Sequence, residues 1–306
     1  MQFIIMDLEW NNTYAKKKKG FLNEIIEIGA VKLDSHLNQV DTFSQVIKSQ
    51  VGKRLRSSVK KLTNITNDDV RGGELFTKTF SEFKKWLGTE ENTFFTWGDG
   101  DIRVLIENYQ YLNGIETIPF MDNYCDLQAC YHHATGTGKG MQVGLHAAAE
   151  HFGIDPEAYS LHRALGDSLL TAEVFRKIYD AKMFSLHTSA CNGDFYSKLF
   201  FKPKVISNID NPLVDKSEFF YNCEKCGHAC NLKGQWRYHN QFFRAVYFCP
   251  DCKAYYKVGV RFKKYYDRVD IRKIATQFDP EQKKKEGAEG VPSLRDKSSE
   301  NASFSE

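Results

Sequence analysis

Two acidic residues, Asp7 and Glu9, stand two apart at the end of the apolar run Phe3-Ile4-Ile5-Met6. On a strand their side chains emerge on one face while Leu8 points to the other. Two carboxylates side by side at the end of an apolar strand repel each other and resist desolvation, so a cation between them is the economical arrangement. A hard divalent ion such as Mg²⁺ takes oxygen ligands and keeps several waters, which suits a phosphodiester that completes its shell. The plain alternative is a pair of solvated acids at a strand end. In TWGDGDIRVL a strand end, a glycine turn and an acid open a helix. Asp101 directly precedes the apolar run through Val104 and Leu105 and is preferred to Asp99 as a third ligand, although an Asp there is also a common helix N-cap. LHRALGDSLLTAEVF supplies His162 just before a helix and Asp167 within its first turns. An imidazole beside an acidic cluster changes charge near neutral pH, the range in which a general base works.

A second chemistry is written in cysteine. Four of the eight cysteines form the pairs Cys223-x2-Cys226 and Cys249-x2-Cys252. The opening MQFIIMDLEW has no basic stretch or small-residue cleavage site and reads as a strand, which points to a cytoplasmic chain and favours metal over disulfides. One structural Zn²⁺ held by four thiolates would have no open position and would replace the core that a small domain cannot build. His228, Cys230 and His239 are nearby alternative ligands. Along Lys257 to Lys263, alternation sets Lys257, Arg261 and Lys263 against Val258, Val260 and Phe262. With Tyr255, Trp236, Tyr238 and Arg244 close in sequence, the basic face could join phosphate contacts to base stacking; the alternative is an ordinary solvated surface.

These residues need elements to position them. Phe3–Met6, Ile25–Val31 and Thr42–Ile47 read as successive strands in an antiparallel meander, followed by an amphipathic helix from Phe76 to Leu87 and a strand from Thr93 to Trp97. Helical patterns follow at Ile102–Leu112, Asp126–Ala134, Gly144–Phe152 and Ala164–Ala181. A meander followed by crossover units predicts an α/β fold, a mixed sheet covered by helices. Residues 183–216 lose the regularity and read as connector, 217–272 as a small β domain, and 273–306 as a basic and then disordered tail. The insertion from Asn11 to Asn23 carries Lys16 to Lys19, which would steer phosphates if it lay near the acids. At 306 residues two domains are expected. The net charge of +3 is too mild to argue for nucleic acid by itself, and no apolar run approaches the roughly 20 residues of a membrane span.

In this order Asp7, Glu9, Asp101, His162 and Asp167 resemble the DEDDh family of 3′-to-5′ exonucleases, also called DnaQ-like or RNase T-like, over about residues 1 to 181. MDLEW matches the first family motif, WGDGDIRVL the second, and His162 with Asp167 the histidine form of the third. EIIEIGAVKLD, LTNIT and the Gly144-Leu145 helix are supporting matches, and the WGDGD form is similar to the branch containing the histone-mRNA 3′-exonuclease. The resemblance implies a ribonuclease H-like exonuclease domain over residues 1–182 with two Mg²⁺ or Mn²⁺ ions about 4 Å apart. Carried over by position, Asp7 would bridge both ions, Glu9 and Asp167 would complete one or both shells, and Asp101 would hold the second. His162 would take the proton of the attacking water. The implied partner is nucleic acid with a single-stranded 3′ end, DNA or RNA, and the product a nucleoside 5′-monophosphate. The competing reading is an adaptor whose zinc domain binds nucleic acid while the nuclease fold serves as scaffold.

Overall fold

Alternation along the first strand decides the architecture. In β1 (Gln2–Ala15), Ile4, Met6 and Leu8 enter one apolar cluster while Phe3 and Ile5 enter another, so both faces of the sheet must be covered. The structure, a computed structural model, describes residues 1–137 and 142–280 and falls into two units, Met1–Phe200 and Phe201–Glu306. In the first unit β1, β2 (Gly20–Leu33) and β3 (Gln39–Val46) form the antiparallel meander. After α1 (Ser57–Thr63), α2 (Asn67–Gly72) and α3 (Phe76–Leu87) the chain returns through β4 (Asn92–Thr96), parallel to β1. Next come α4 (Gly100–Asn113), β5 (Asn123–Asp126), α5 (Leu127–Thr135), α6 (Leu145–His151), α7 (Ala164–Ile178), α8 (Ala181–His187), β6 (Ser189–Ala190) and α9 (Gly193–Phe200). The strand order β3-β2-β1-β4-β5-β6 is a mixed sheet flanked by helices. One face carries α3 through Phe76, Phe80 and Phe83, with Leu105 of α4; the other carries Leu170 and Phe175 of α7, with Ala148 of α6 and Phe184 of α8.

Four local expectations change. The strand β5 is only four residues long, too short to show a period, and its Asp126 caps α5 by accepting from the Ala129 N–H at 3.1 Å. Where composition reads as connector from residue 183, the chain up to Phe200 forms α8, β6 and α9. There Tyr196 is buried and its hydroxyl accepts from the Ile118 N–H at 2.9 Å. The insertion from Asn11 to Asn23 continues β1 and β2 as a hairpin paired out to Ala15 and Gly20, with Lys16 to Lys19 as its exposed turn. At roughly 3.3 Å per residue its turn lies about 20 Å beyond Glu9 along the strand, outside the Debye length, which does not favour the steering role. The last strand of the second unit runs to Phe278, past residue 272, because Thr276 and Phe278 still find partners in Lys257 and Tyr255. The tail from residue 281, read as disordered from composition, lies outside the described residues.

The second unit is an antiparallel sheet in the order β11-β10-β9-β8, made of β8 (Asn231–His239), β9 (Phe242–Cys249), β10 (Ala254–Lys264) and β11 (Val269–Phe278), with the short β7 (Lys204–Val205) beside the end of β10. Phe243, Tyr247, Val258, Val260 and Phe262 form its core with Cys223 and Cys249. Among the described residues of the chain, no helix is long and apolar enough to cross a membrane.

Two contacts dock α7 on β2 and so set the position of Asp167. Gly29 allows close approach, since a β-carbon there would lie 2.1 Å from the carbonyl carbon of Ala164, and the Ser168 hydroxyl donates to the Gly29 carbonyl at 3.0 Å. Glu27 is 1% exposed and lies directly opposite Glu9 in the β1–β2 register, a repulsive pairing on its own. Arg163 Nε lies 3.0 Å from both Glu27 oxygens, and the Ala164 N–H donates to Oε2 at 3.1 Å, so the start of α7 carries the compensation for that charge. Gly29→Ala is expected to destabilise the protein by about 3 kcal/mol, whereas Gly72→Ala, with nothing within 4 Å of the new carbon, should shift stability by less than about 0.5 kcal/mol; urea unfolding midpoints compare them. Arg163→Ala leaves Glu27 buried without its guanidinium and should cost roughly 2 kcal/mol, less than the 3–5 of a fully enclosed pair because the arginine is partly exposed.

Candidate active site

Asp7 and Glu9 continue the row begun by Phe3 and Ile5, the face on which α7 packs. One carboxylate oxygen from each of Asp7, Glu9 and Asp167 lies within 4.8 Å of the others. Asp101, at the start of α4, comes from the opposite face of the sheet and is 6% exposed. One of its oxygens accepts from the Leu8 N–H at 3.1 Å, tying α4 to the strand between Asp7 and Glu9. All four acids line one cavity of about 610 Å³, within the range of small-ligand sites. The cavity lies where β1 leaves toward β2 on one side and borders β4 on the other, the switch point at which open α/β sheets bind ligands. Asp99, the alternative to Asp101, is half-exposed outside this cavity and is paired with Arg103 at 2.7 Å.

The electrostatics follow from crowding. Burial, then the charges of Asp101 and Asp167, hold Asp7 well above the ordinary carboxylate range. Burial and the charge of Asp167 push Glu9 up to about 8, and burial raises Asp101 to about 7 against the opposing hydrogen bond from Leu8. Asp167 is raised by burial, with His162 and His146 acting the other way. Such a group of oxygens favours a hard cation, and the donor set fits Mg²⁺ or Mn²⁺.

His162 is exposed and lines the same cavity. Its backbone is left-handed, φ 57°, and its N–H donates to Asp167 Oδ2 at 3.0 Å, so the bend before α7 and the acid inside it hold each other. The next helical glycine, Gly166, fits because its missing β-carbon would lie 2.0 Å from the Ser160 carbonyl oxygen of that bend. The apolar wall of the cavity, Trp10, Leu62, Trp97 and Leu145, and His146 beside it were not among the predicted site residues, nor was Glu27, which holds Arg163. LTNIT and Gly144-Leu145 mark part of that wall, but no local pattern shows which residues reach the cavity.

In the second unit one sulfur from each of Cys223, Cys226, Cys249 and Cys252 lies within 4.8 Å of the others. Cys223–Cys252 and Cys226–Cys249 are 3.8 and 3.5 Å apart, near the about 3.8 Å edge of a tetrahedron with 2.3 Å metal–sulfur bonds. The Tyr256 hydroxyl draws Cys223 down to about 6. Cys230 is outside this group of four, and His228 stands 2.8 Å from Asp251, with which it and Cys226 form a smaller cluster. His239 lies at the other end of β8, paired with Phe242. The four thiols form a possible metal site compatible with a zinc ribbon.

The exonuclease (RNase T) family matches residues 4–175. A probable 3′-5′ exonuclease KapD of Bacillus subtilis is 30% identical over 183 residues, 59% of this chain and 86% of that protein. The DNA polymerase III subunit epsilon of Aquifex aeolicus is 28% identical over 64% of this chain and 87% of its own length, and human 3′-5′ exoribonuclease 1 is 26% identical over 50% and 46%. The nuclease domain of 3′hExo, a DEDDh family member, bound to rAMP, shares the fold with a TM-score of 0.51 at 24% identity, over 57% of this chain and 90% of that one. With a mixed sheet flanked by helices, an acidic cavity at its switch point and a match spanning more than half of its residues, the chain belongs to the exonuclease family.

Proposed function

We propose that the protein is a metal-dependent 3′-to-5′ exonuclease that hydrolyses phosphodiester bonds at single-stranded 3′ ends of DNA or RNA and releases nucleoside 5′-monophosphates. The observation that carries this reading is the convergence of Asp7, Glu9 and Asp167 within 4.8 Å, in a cavity that also receives Asp101 and an exposed imidazole. The similarity to a protein named as a probable 3′-5′ exonuclease supports it.

Asp7, Glu9 and Asp167 would hold one divalent ion and share a second with Asp101. Such ions, when bound, lower the pKa of water and stabilise the 3′ oxygen that leaves the phosphorus and stays on the shortened strand. The remaining work falls to this chain's own groups. His162, placed at the cavity by the Asp167 bond to its backbone, accepts a proton from the attacking water on a ring nitrogen. Trp10, Leu62 and Leu145 offer an apolar wall to the sugar and base of the terminal nucleotide. Contacts of that kind do not read base identity, which suits processing of varied ends. In the second unit the four thiolates would hold one structural Zn²⁺, whose binding free energy stabilises the small sheet.

Matched labelled DNA and RNA oligonucleotides with free or blocked 3′ ends test the activity. Shortening from free ends with Mg²⁺ or Mn²⁺ and its loss in EDTA are expected. His162→Ala should lower kcat by about 10²- to 10⁴-fold, and Asp7→Asn should abolish turnover; undiminished turnover in purified Asp7→Asn protein would falsify the reading. Stable oligonucleotide binding without any product would instead favour the adaptor. Elemental analysis should find about one zinc per chain, lost in Cys249→Ser together with thermal stability; a zinc-free and fully stable protein would refute the structural-zinc assignment.

A further inference from the structure

The sheet of the second unit has two unlike faces. Along β9, Phe243, Ala245, Tyr247 and Cys249 are buried in the core, so Phe242, Arg244, Val246 and Phe248 point the other way. Pairing carries this outward face across all four strands. One row reads Lys233, Val246, Lys257, Thr276, and the next Arg237, Arg244, Gly259, Ile274. Beyond it His239 pairs with Phe242 and Arg261 with Arg272, and at the other end stand Asn231, Phe248, Tyr255 and Phe278. None of these positions is acidic. Arg237 faces Arg244, and Arg261 faces Arg272, directly across the ladder, where like charges oppose folding.

The aromatic rings lie among these cations. Phe248 and Tyr255 have centroids 4.7 Å apart, and Tyr255 and Phe278 6.0 Å, forming a continuous strip. Lys257 Nζ lies 4.5 Å from the Phe278 centroid, and Arg244 and Arg261 lie 5.1 and 5.3 Å from that of Phe242. Lys233, Arg237, Arg244 and Lys257 also converge on one cavity of about 400 Å³. Trp236 and Tyr238, which sequence proximity groups with the basic face, are turned to the opposite side. Trp236 packs on Phe219 and Tyr247, and Tyr238 on Phe243.

We infer that this outward face binds a single-stranded nucleic acid, its phosphates against the cationic rows and its bases on the Phe248–Tyr255–Phe278 strip. Cations that repel one another across the ladder are relieved by a polyanion, and flat rings at the same level select one that also carries stackable bases. An anionic lipid surface would satisfy the charges but leave the aromatic strip without matching partners. The inference rests on the exonuclease reading for its choice of substrate, the strand whose 3′ end is being shortened. RNA and DNA share the required chemistry.

The test compares the full-length protein with the triple variant Lys233→Ala/Arg244→Ala/Lys257→Ala on rU and dT strands of about twenty nucleotides and on a dinucleotide too short to reach a second site. On at least one long strand KM should rise about tenfold or more with kcat held. The slope of log(kcat/KM) against log salt should weaken by about 2, and dinucleotide turnover should be unchanged. The charge-conserving variant Lys233→Arg/Arg244→Lys/Lys257→Arg should retain the wild-type KM, which separates charge from folding. A folded triple variant, by thermal unfolding and zinc content, with unchanged KM and salt slope on both strands overturns the inference. So does a defect confined to binding of phosphatidylserine vesicles. If the wild type fails to cleave even the dinucleotide, the activity reading fails separately; equilibrium binding of 3′-phosphorylated strands then decides this inference by the same comparison of variants.

Discussion

Five carboxylates gather around one stretch of β1, and the fold gives a cationic side chain to one of them. Glu27 has Arg163 and the start of α7; Asp7, Glu9, Asp101 and Asp167 share a cavity in which burial and mutual repulsion hold them above the ordinary carboxylate range. The arrangement is unfavourable for the chain alone and favourable once a divalent cation is supplied. Much of the first unit serves to sustain it. Gly29 admits α7, Glu27 fastens its first turn, and Asp101 ties α4 to the backbone of the same strand from the opposite face. Elements from both sides of the sheet are thereby fixed to the few residues that carry the chemistry.

The two clusters of potential metal ligands differ in how open they are. The acids form an open cavity with an exposed imidazole and an apolar wall, leaving room for a phosphate and a water. The four thiols are closed in on one another at tetrahedral spacing, with Cys223 and Cys249 in the core of a small sheet. Oxygen donors around a cavity suit catalysis, whereas a complete set of sulfurs suits structure, because only the former leaves a coordination position for substrate.

The sheet of the second unit presents a face on which cations oppose cations across the strands. Folding tolerates this because the rings of Phe242, Phe248 and Phe278 lie under the charged groups and the opposite face buries Tyr247, Val260 and Phe262. Charge is concentrated by strand register. A net charge of +3 spread over the whole chain conceals it.

Sequence by itself determined what depends on neighbours a few residues apart. The spacing of Asp7 and Glu9 put both on one face of a strand, the period of Phe76, Phe80 and Phe83 made α3 amphipathic, and two Cys-x2-Cys pairs marked four thiols that come together. Chain order of the acids and His162 was enough to place the first unit among exonucleases. Tertiary structure alone decided what depends on register and on contacts between distant segments. It brought Asp101 rather than Asp99 to the cavity, turned Trp236 and Tyr238 away from the basic face, and carried the lysine turn out along a long hairpin. It also revealed Glu27, whose partner lies 136 positions away and which in sequence is one acid in an apolar strand. Periodicity records which way a side chain points from its own backbone; what it meets there is set by another part of the chain.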